Sequence, residues 1–467
     1  MLSVFDILGS ALCILVLWLI LSSRIRKYPL SQRKLFINAF RFKIFCSVIF
    51  ALITAYYYKG GDSEMFLYAV RDMQQAMGAN ELSVPDLFLM EKVDEQHPLA
   101  YYFQQDLTKY YVIGFMRHSG NFMVPKLGVL PYILFFKSYL AMCLVFSFFA
   151  LAGTIRLFKL FLHYFPTMQR EIALATLFLP SACYWSSGFL KDSICFGAVG
   201  FLLYGLFNLF IRRKNLVTSV FWVGVSVYLL YMIKVYILLA LIPGMGFWLF
   251  GEMSTGVRNI SLKRFVTFLS LVVAGIAAYQ FVTYLTSDVA LSRFSMDNLI
   301  ESSDYSRRIL ERRGGEGSGF SYGTTNPVLL LLNGLIATFF RPFPWEISSF
   351  IVLFSAVEAL IFLALMVFLF YKKGFGAPFR KVFDTPILIL SFSFAVIFAV
   401  SVGISTTNFG SLSRYKIPCL PFYLMFIFGA YHLTGLAYPA WMQKILQLIS
   451  KKSSNDVRHS RLRQSPA

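Results

Sequence analysis

The residues with the types and spacing for chemistry stand at the edges of apolar runs. Gly60-Gly61-Asp62-Ser63-Glu64 follows the second such run. Its glycines free the backbone for a tight turn, and two carboxylates follow at a helix start. A carboxylate at a low-dielectric boundary can hold its proton more tightly and accept one from a sugar hydroxyl. Asp62 therefore reads as a general base that Glu64 could share. The plain alternative is an N-cap supplied by Asp62 or Ser63. A second group is Leu179-Pro180-Ser181, then Tyr184-Trp185-Ser186-Ser187-Gly188 and Lys191-Asp192-Ser193. Trp185 offers a ring for stacking, the serines offer hydroxyls, and Lys191 and Asp192 supply one charge of each sign. That set suits a sugar or a sugar phosphate; as plain span ends, Lys191 and Asp192 would only snorkel.

Three further groups are basic. Arg341-Pro342-Phe343-Pro344-Trp345-Glu346 sets a guanidinium, whose fork matches phosphate oxygens, in a segment stiffened by two prolines. Its bland reading is an interfacial anchor with Trp345 in an aromatic belt. Ser413-Arg414-Tyr415-Lys416-Ile417-Pro418 places two cations at the start of the last apolar run, where a lipid phosphate or diphosphate would stabilise them. Arg307, Arg308, Arg312 and Arg313 precede the glycine-dense stretch 314–319 and could close over an anion, or simply be solvated. Glu91, Asp94, Glu95, His97 and Asp106 could serve a divalent cation, but their spacing matches no known site, so no metal site is assigned. His432 and the methionines read as packing.

The elements that must position these residues follow from composition. Of 467 residues, 57% are hydrophobic and only 14% charged. Mean hydropathy is +0.65. A soluble domain carries about 25% charge, so this chain could not cover a water-facing surface. It reads as an all-α polytopic membrane protein. Net charge is +20, from 43 basic and 23 acidic residues. No soluble basic module exists to carry nucleic-acid binding, and the basic residues cluster in short loops, as the positive-inside bias requires. The six cysteines are scattered, mostly inside apolar runs, with no CxxC pair, a pattern that does not read as a disulfide framework or zinc site. The first run contains Asp6 and no basic start, so it reads as a retained span rather than a cleaved signal.

A span needs about 20 apolar residues. Eleven candidates emerge: 4–22, 41–58, 129–153, 171–187, 192–211, 216–232, 235–251, 265–286, 347–371, 385–404 and 415–436. Lys234 stands between the two short members of the 216–251 pair. The lysine and arginine clusters fall on one side if the amino terminus is outside and the carboxyl terminus is cytoplasmic. The expected organisation is one transmembrane domain, 1–449, with outer loops 59–128 and 287–346, and a basic disordered cytoplasmic tail, 450–467. A shorter outer segment is 405–414, and an outer turn lies at 188–191. Apolar spacing from Glu64 to Met77 predicts an amphipathic helix lying on the membrane, and 327–340 predicts a re-entrant or interfacial helix. Span interiors read as nearly free of charge, and no internal repeat is visible.

Taken together, these residues resemble the C-type (GT-C) integral-membrane glycosyltransferases of bacterial polysaccharide assembly. The family places an aspartate after span two, followed by an interfacial helix, where Gly61-Asp62-Ser63-Glu64 with Tyr68 stands here. Ser413-Arg414-Tyr415-Lys416-Ile417-Pro418 with Pro421 is similar to the arginine-tyrosine-proline end of many bacterial members and of related polysaccharide polymerases. The 179–192 and 341–346 segments look similar to the same group. No metal-binding DxD is present, and no soluble domain follows the last span. The resemblance implies a polyprenyl-phosphate-linked sugar donor, a glycan, lipid or protein acceptor, and transfer at the periplasmic face of the bacterial inner membrane. Asp62 and Glu64 would be catalytic; Trp185, Lys191, Asp192, Arg307, Arg308, Arg341, Glu346, Arg414, Tyr415 and Lys416 would bind substrate. An O-antigen or exopolysaccharide polymerase is the nearest alternative, and a flippase for a lipid-linked saccharide is the alternative of another class. The flippase would require ionisable residues in mid-membrane and pseudo-symmetric halves.

Overall fold

A computed structural model describes residues 5–58, 61–90, 93, 96–103, 119–253, 326–347, 350–406 and 408–449. Among them every regular element is helical, as an apolar chain requires when lipid offers its backbone no hydrogen bonds. Those that frame the site are α1 (Phe5–Ile25), α2 (Leu30–Leu52), α3 (Asp62–Gly78), α4 (Ser119–Leu134), α5 (Tyr139–Tyr164), α6 (Pro180–Trp185), α7 (Lys191–Leu206) and α8 (Leu216–Met253). After these come α9 (Pro327–Phe340), α10 (Phe350–Lys373), α11 (Pro386–Ser405), α12 (Phe409–Tyr415) and α13 (Leu420–Thr434).

Seven described helices are long and apolar enough to cross a membrane, or eight if the bent pair α12 and α13 is one span. Eleven were expected, and the difference has identifiable causes. The span 171–187 is broken at Leu179-Pro180, where proline cannot continue the preceding ladder, leaving only short helices. The span 265–286 lies outside the described residues, as do most of the 287–346 loop and the tail. The 216–251 pair runs as one 38-residue helix, but Lys234 breaks it with φ −147° and ψ 74°. Contacts show that α8 doubles back there. Lys234 meets Asp192 at the start of α7. On either side of the break, Trp222 stacks on Phe201 at 4.1 Å and the Trp248 indole donates to the Tyr164 hydroxyl at 2.9 Å, both toward the other end of the bundle. The span expected at 129–153 is displaced to Tyr139–Tyr164, because Phe136 and Lys137 adopt φ 55° and 60° and end α4.

α3 is amphipathic, as its spacing predicts, but its apolar face is covered by protein. Phe66, Ala69, Val70 and Met73 are fully buried, and Phe66 meets Phe189 edge to face at 6.1 Å. The segment 327–340 does form a separate 14-residue helix, capped by Asn326, whose side chain accepts from the Val328 and Leu329 amides.

A close backbone contact joins α5 to α7. A Cβ on Gly153 would collide with Gly197, and one on Gly200 with the Gly153 carbonyl. Small residues let two backbones touch, which is how helices gain packing energy where lipid removes the hydrophobic incentive. Gly153→Leu or Gly200→Leu should therefore cost about 1–3 kcal/mol through overpacking, read as a lowered thermal unfolding midpoint of the detergent-purified chain; an unchanged midpoint would show that this helix pair tolerates separation.

Candidate functional site

The site is built at the end of the bundle where α3, α7 and α12 begin or end. Gly61 caps α3 with φ 107° and ψ −168°, a conformation that side-chain-bearing residues avoid. No side chain caps this helix, so the N-cap reading of Asp62 and Ser63 does not hold. Ser63 is used between helices: its hydroxyl donates to the Phe189 carbonyl at 3.0 Å and lies 2.7 Å from the Tyr139 hydroxyl. That fixes the first turn of α3 against α5 and the 186–190 turn.

The turn itself is held from beneath. Lys43, buried midway along α2, donates to the Cys183 carbonyl at 3.3 Å, the Ser186 carbonyl at 3.0 Å, and the Ser186 and Ser187 hydroxyls at 2.6 and 3.3 Å. Gly188 is required because a Cβ there would strike the Phe50 ring. The turn delivers Asp192 to the first turn of α7, where the helix dipole favours a carboxylate. On the third side, Asn408 caps α12 by accepting from the Gly410 and Ser411 amides at 2.7 and 3.3 Å. The chain then bends by 68° into α13. Pro418 sits within this bend and cannot donate the amide hydrogen that a continuous helix needs.

These elements bring Asp62, Asp192, Lys234 and Arg414 into one ion-pair chain. Arg414 Nη1 donates to Asp62 Oδ2 at 2.7 Å, and Nε to Asp192 Oδ2 at 2.5 Å. The other Asp192 oxygen accepts from Lys234 Nζ. The Asp192 side chain is 0% exposed, Lys234 8%, Arg414 14% and Asp62 36%. The series grades from a buried pair outward to one accessible carboxylate. Lys234 also lies 4.7 Å from the Tyr415 ring centroid, and Lys191 is near enough for the Asp62, Lys234 and Arg414 charges to act on it. Three cations thus face two carboxylates, leaving positive charge in excess. A cavity of about 280 Å³ opens beside the chain, lined by Phe50, Thr54, Tyr58, Asp62, Trp185 and Arg414 among others. Cationic and hydroxyl donors, three aromatic side chains and an accessible carboxylate can receive a polar ligand with a negative group.

Of the residues expected to act together, Asp62, Trp185, Lys191, Asp192, Arg414 and Tyr415 converge here. Glu64 points elsewhere along α3, accepting from the Tyr68 hydroxyl at 3.4 Å. Burial and that carboxylate together push the Tyr68 hydroxyl above its ordinary value. Lys416 does not join Arg414. It is 0% exposed and turns to the charge of Glu358 on α10, whose Oε1 accepts from the Ser181 amide at 2.8 Å. Arg341 and Glu346 close a separate clamp: Arg341 Nε donates to both carboxylate oxygens at 3.0 and 3.1 Å, and the Phe343 amide adds a bond at 2.8 Å. The Arg341 guanidinium lies 5.1 Å from the Phe409 ring centroid, beside α12. Arg307, Arg308, Arg312 and Arg313 lie outside the described residues, as do Glu91, Asp94, Glu95 and Asp106. Among the described residues no group of three or more metal-ligating side chains assembles.

Sequence reasoning missed Lys234 as a site residue, treating it as the separator of two spans, counted Lys43 among the basic residues flanking the first connection, and missed Glu358 altogether. The expectation of charge-free span interiors is corrected: Lys43, Glu358 and Lys416 are all buried. The available signal was an ionisable residue inside an apolar run, which in a membrane segment is costly enough to mark function or pairing.

Comparison with known proteins finds no family model that matches the chain, and no characterised relative and no solved structure that it resembles.

Two measurements check the electrostatics. Asp192→Asn leaves Lys234 and Arg414 buried beside a neutral group and should cost about 3–5 kcal/mol of stability, whereas Asp62→Asn, at the exposed end, should cost clearly less. Thermal unfolding of the two purified variants compares them, and equal losses would refute the gradation. The Arg341–Glu346 clamp predicts a pH response. Partial burial raises the Glu346 carboxyl, but hydrogen bonds from Arg341 and the Phe343 amide outweigh that and hold it below its ordinary 4.5. Because the folded value is depressed, the clamp's contribution is complete above 4.5 and lost only as pH falls through the lower folded value. Emission from the neighbouring, exposed Trp345 should titrate below 4.5, and the transition should vanish in Glu346→Gln.

Proposed function

We propose that the chain is a membrane glycosyltransferase that moves a sugar from a polyprenyl-phosphate carrier to an acceptor hydroxyl at the outer face of a bacterial inner membrane. The observation that carries this reading is Arg414 shared between Asp62, which fronts the cavity, and Asp192, which is buried. A carrier phosphate entering the cavity competes with Asp62 for the outer nitrogens of Arg414, while Asp192 keeps the guanidinium in place. Asp62 is then released to accept the acceptor's proton. The acceptor oxygen attacks the anomeric carbon, the bond from that carbon to the phosphate oxygen breaks, and the anomeric centre inverts. The proton goes to Asp62, and the leaving polyprenyl phosphate carries away the electron pair and the added charge, which Arg414 and Lys191 offset. Trp185 supports the reading as a wall on which a sugar face can pack. The cavity volume is near the lower end for small-molecule sites, about 300 Å³, which suits one sugar ring better than a long chain. Glu64, Arg341 and Lys416 have no part in this step.

The flippase reading gains one observation, the buried Lys43, Glu358 and Lys416, since ionisable residues within spans are what a polar translocation path would use. A reconstituted system separates the readings. Proteoliposomes given a polyprenyl-phosphate hexose and a hexose-terminated oligosaccharide should release polyprenyl phosphate and extend the oligosaccharide. Asp62→Asn should lower that rate by about 100-fold or more, the scale of lost general-base catalysis, with an unchanged elution profile. Undiminished transfer in that variant removes Asp62 from the mechanism; release of a diphosphate carrier instead points to a polymerase, and lipid translocation without transfer to a flippase.

A further inference from the structure

A second cavity lies at the other end of the bundle. It holds about 620 Å³ between α1, α5, α7 and the first arm of α8. Arg156 on its wall is 17 residues beyond Tyr139, about 25 Å along α5 from the helix end that touches Ser63. Four cations line the cavity, Arg24, Lys27, Arg156 and Lys159, and no carboxylate does. Arg156 and Lys159 are three residues apart and share one helix face. Aromatic rings hold both in place: the Arg156 guanidinium sits 4.0 Å from the Phe201 centroid, and the Lys159 ammonium 4.4 Å from Tyr204 and 5.1 Å from Tyr28. Ring faces attract a cation without consuming its N–H donors. Asn215, Thr218 and Ser219, the opening turn of α8, also line the cavity, adding the positive end of a helix dipole. Away from the cations the wall becomes apolar, through Val145, Phe148 and Phe149 toward the middle of the bundle.

We infer that this cavity binds an anionic membrane lipid, with its phosphate among Arg24, Lys27, Arg156 and Lys159 and an acyl chain along the apolar wall. Positive-inside bias accounts for cations at this end of a membrane protein. It does not account for four around one hollow, free of acids and backed by rings. The apolar wall selects a lipid over a soluble phosphate, since a free anion would leave that surface unfilled. The inference is independent of the proposed glycosyl transfer, because the two cavities share no residue.

The test uses the full chain in nanodiscs of phosphatidylcholine with and without phosphatidylglycerol. Native mass spectrometry after release should show phosphatidylglycerol retained in preference to phosphatidylcholine. Removing two cations in R156Q/K159Q should lower that retention about tenfold or more, because each basic residue at an anionic surface adds its own attraction. K372Q/R380Q, basic positions outside the cavity, should leave it unchanged. On the unaltered chain, phosphatidylglycerol should slow acetylation of Lys27 and Lys159 but not of Lys372, which keeps the test available if the double variant does not fold. Millimolar inorganic phosphate should not displace the lipid. Equal retention of both lipids, full retention by R156Q/K159Q, acetylation indifferent to phosphatidylglycerol, or displacement by inorganic phosphate would each overturn the assignment.

Discussion

Everything at the ion-pair cavity depends on one buried carboxylate. Asp192 has no exposed surface, and both its oxygens are taken, one by Lys234 and one by Arg414. A carboxylate so buried persists as an ion only with close partners and good geometry. That requirement fixes three otherwise unrelated elements: the start of α7, the reversal of α8 and the bent entry to α13. Arg414 is thereby presented to the cavity as a held group rather than a free side chain. Asp62 is then the one member of the chain with room to change partners.

The interaction also explains why the helices break where they do. A lysine in the middle of a 38-residue apolar helix would be expensive in lipid; placed at a reversal, it reaches a carboxylate. α12 is short for a parallel reason. A continuous helix through residues 409–434 would carry Arg414 along its own axis, whereas the 68° bend at the Lys416–Cys419 segment lets that side chain meet α3 and α7 together.

Much of this was legible from residue order alone. Apolar runs revealed the all-α membrane class, charges at the edges of those runs drew attention to Asp62, Lys191, Asp192 and Arg414, and an aromatic among serines drew attention to Trp185. What remained hidden was pairing across the fold. Nothing local distinguishes Lys416 from Arg414, yet one faces Glu358 and the other Asp62, because the intervening turn rotates them apart. Glu64 and Asp62 are two residues apart, which on a helix puts them on different faces. Arg341 resembled a phosphate ligand by type, but Glu346 five positions later satisfies it. Glu358 escaped notice because hydropathy averages dilute a single charge within twenty apolar neighbours, and for Lys43 and Lys234 only the fold reveals what each one touches.

Lys43 has a mechanical consequence. Its ammonium lies within hydrogen-bond distance of four oxygens of the 183–187 stretch, at a position buried within the protein. α2 and that stretch are therefore fastened at a buried point, and the fastening lies only five residues upstream of Asp192. A ligand pulling on the exposed end of the ion-pair chain would meet a scaffold anchored beneath it, so any give at the cavity must come from the α3 rim and not from the 183–187 floor.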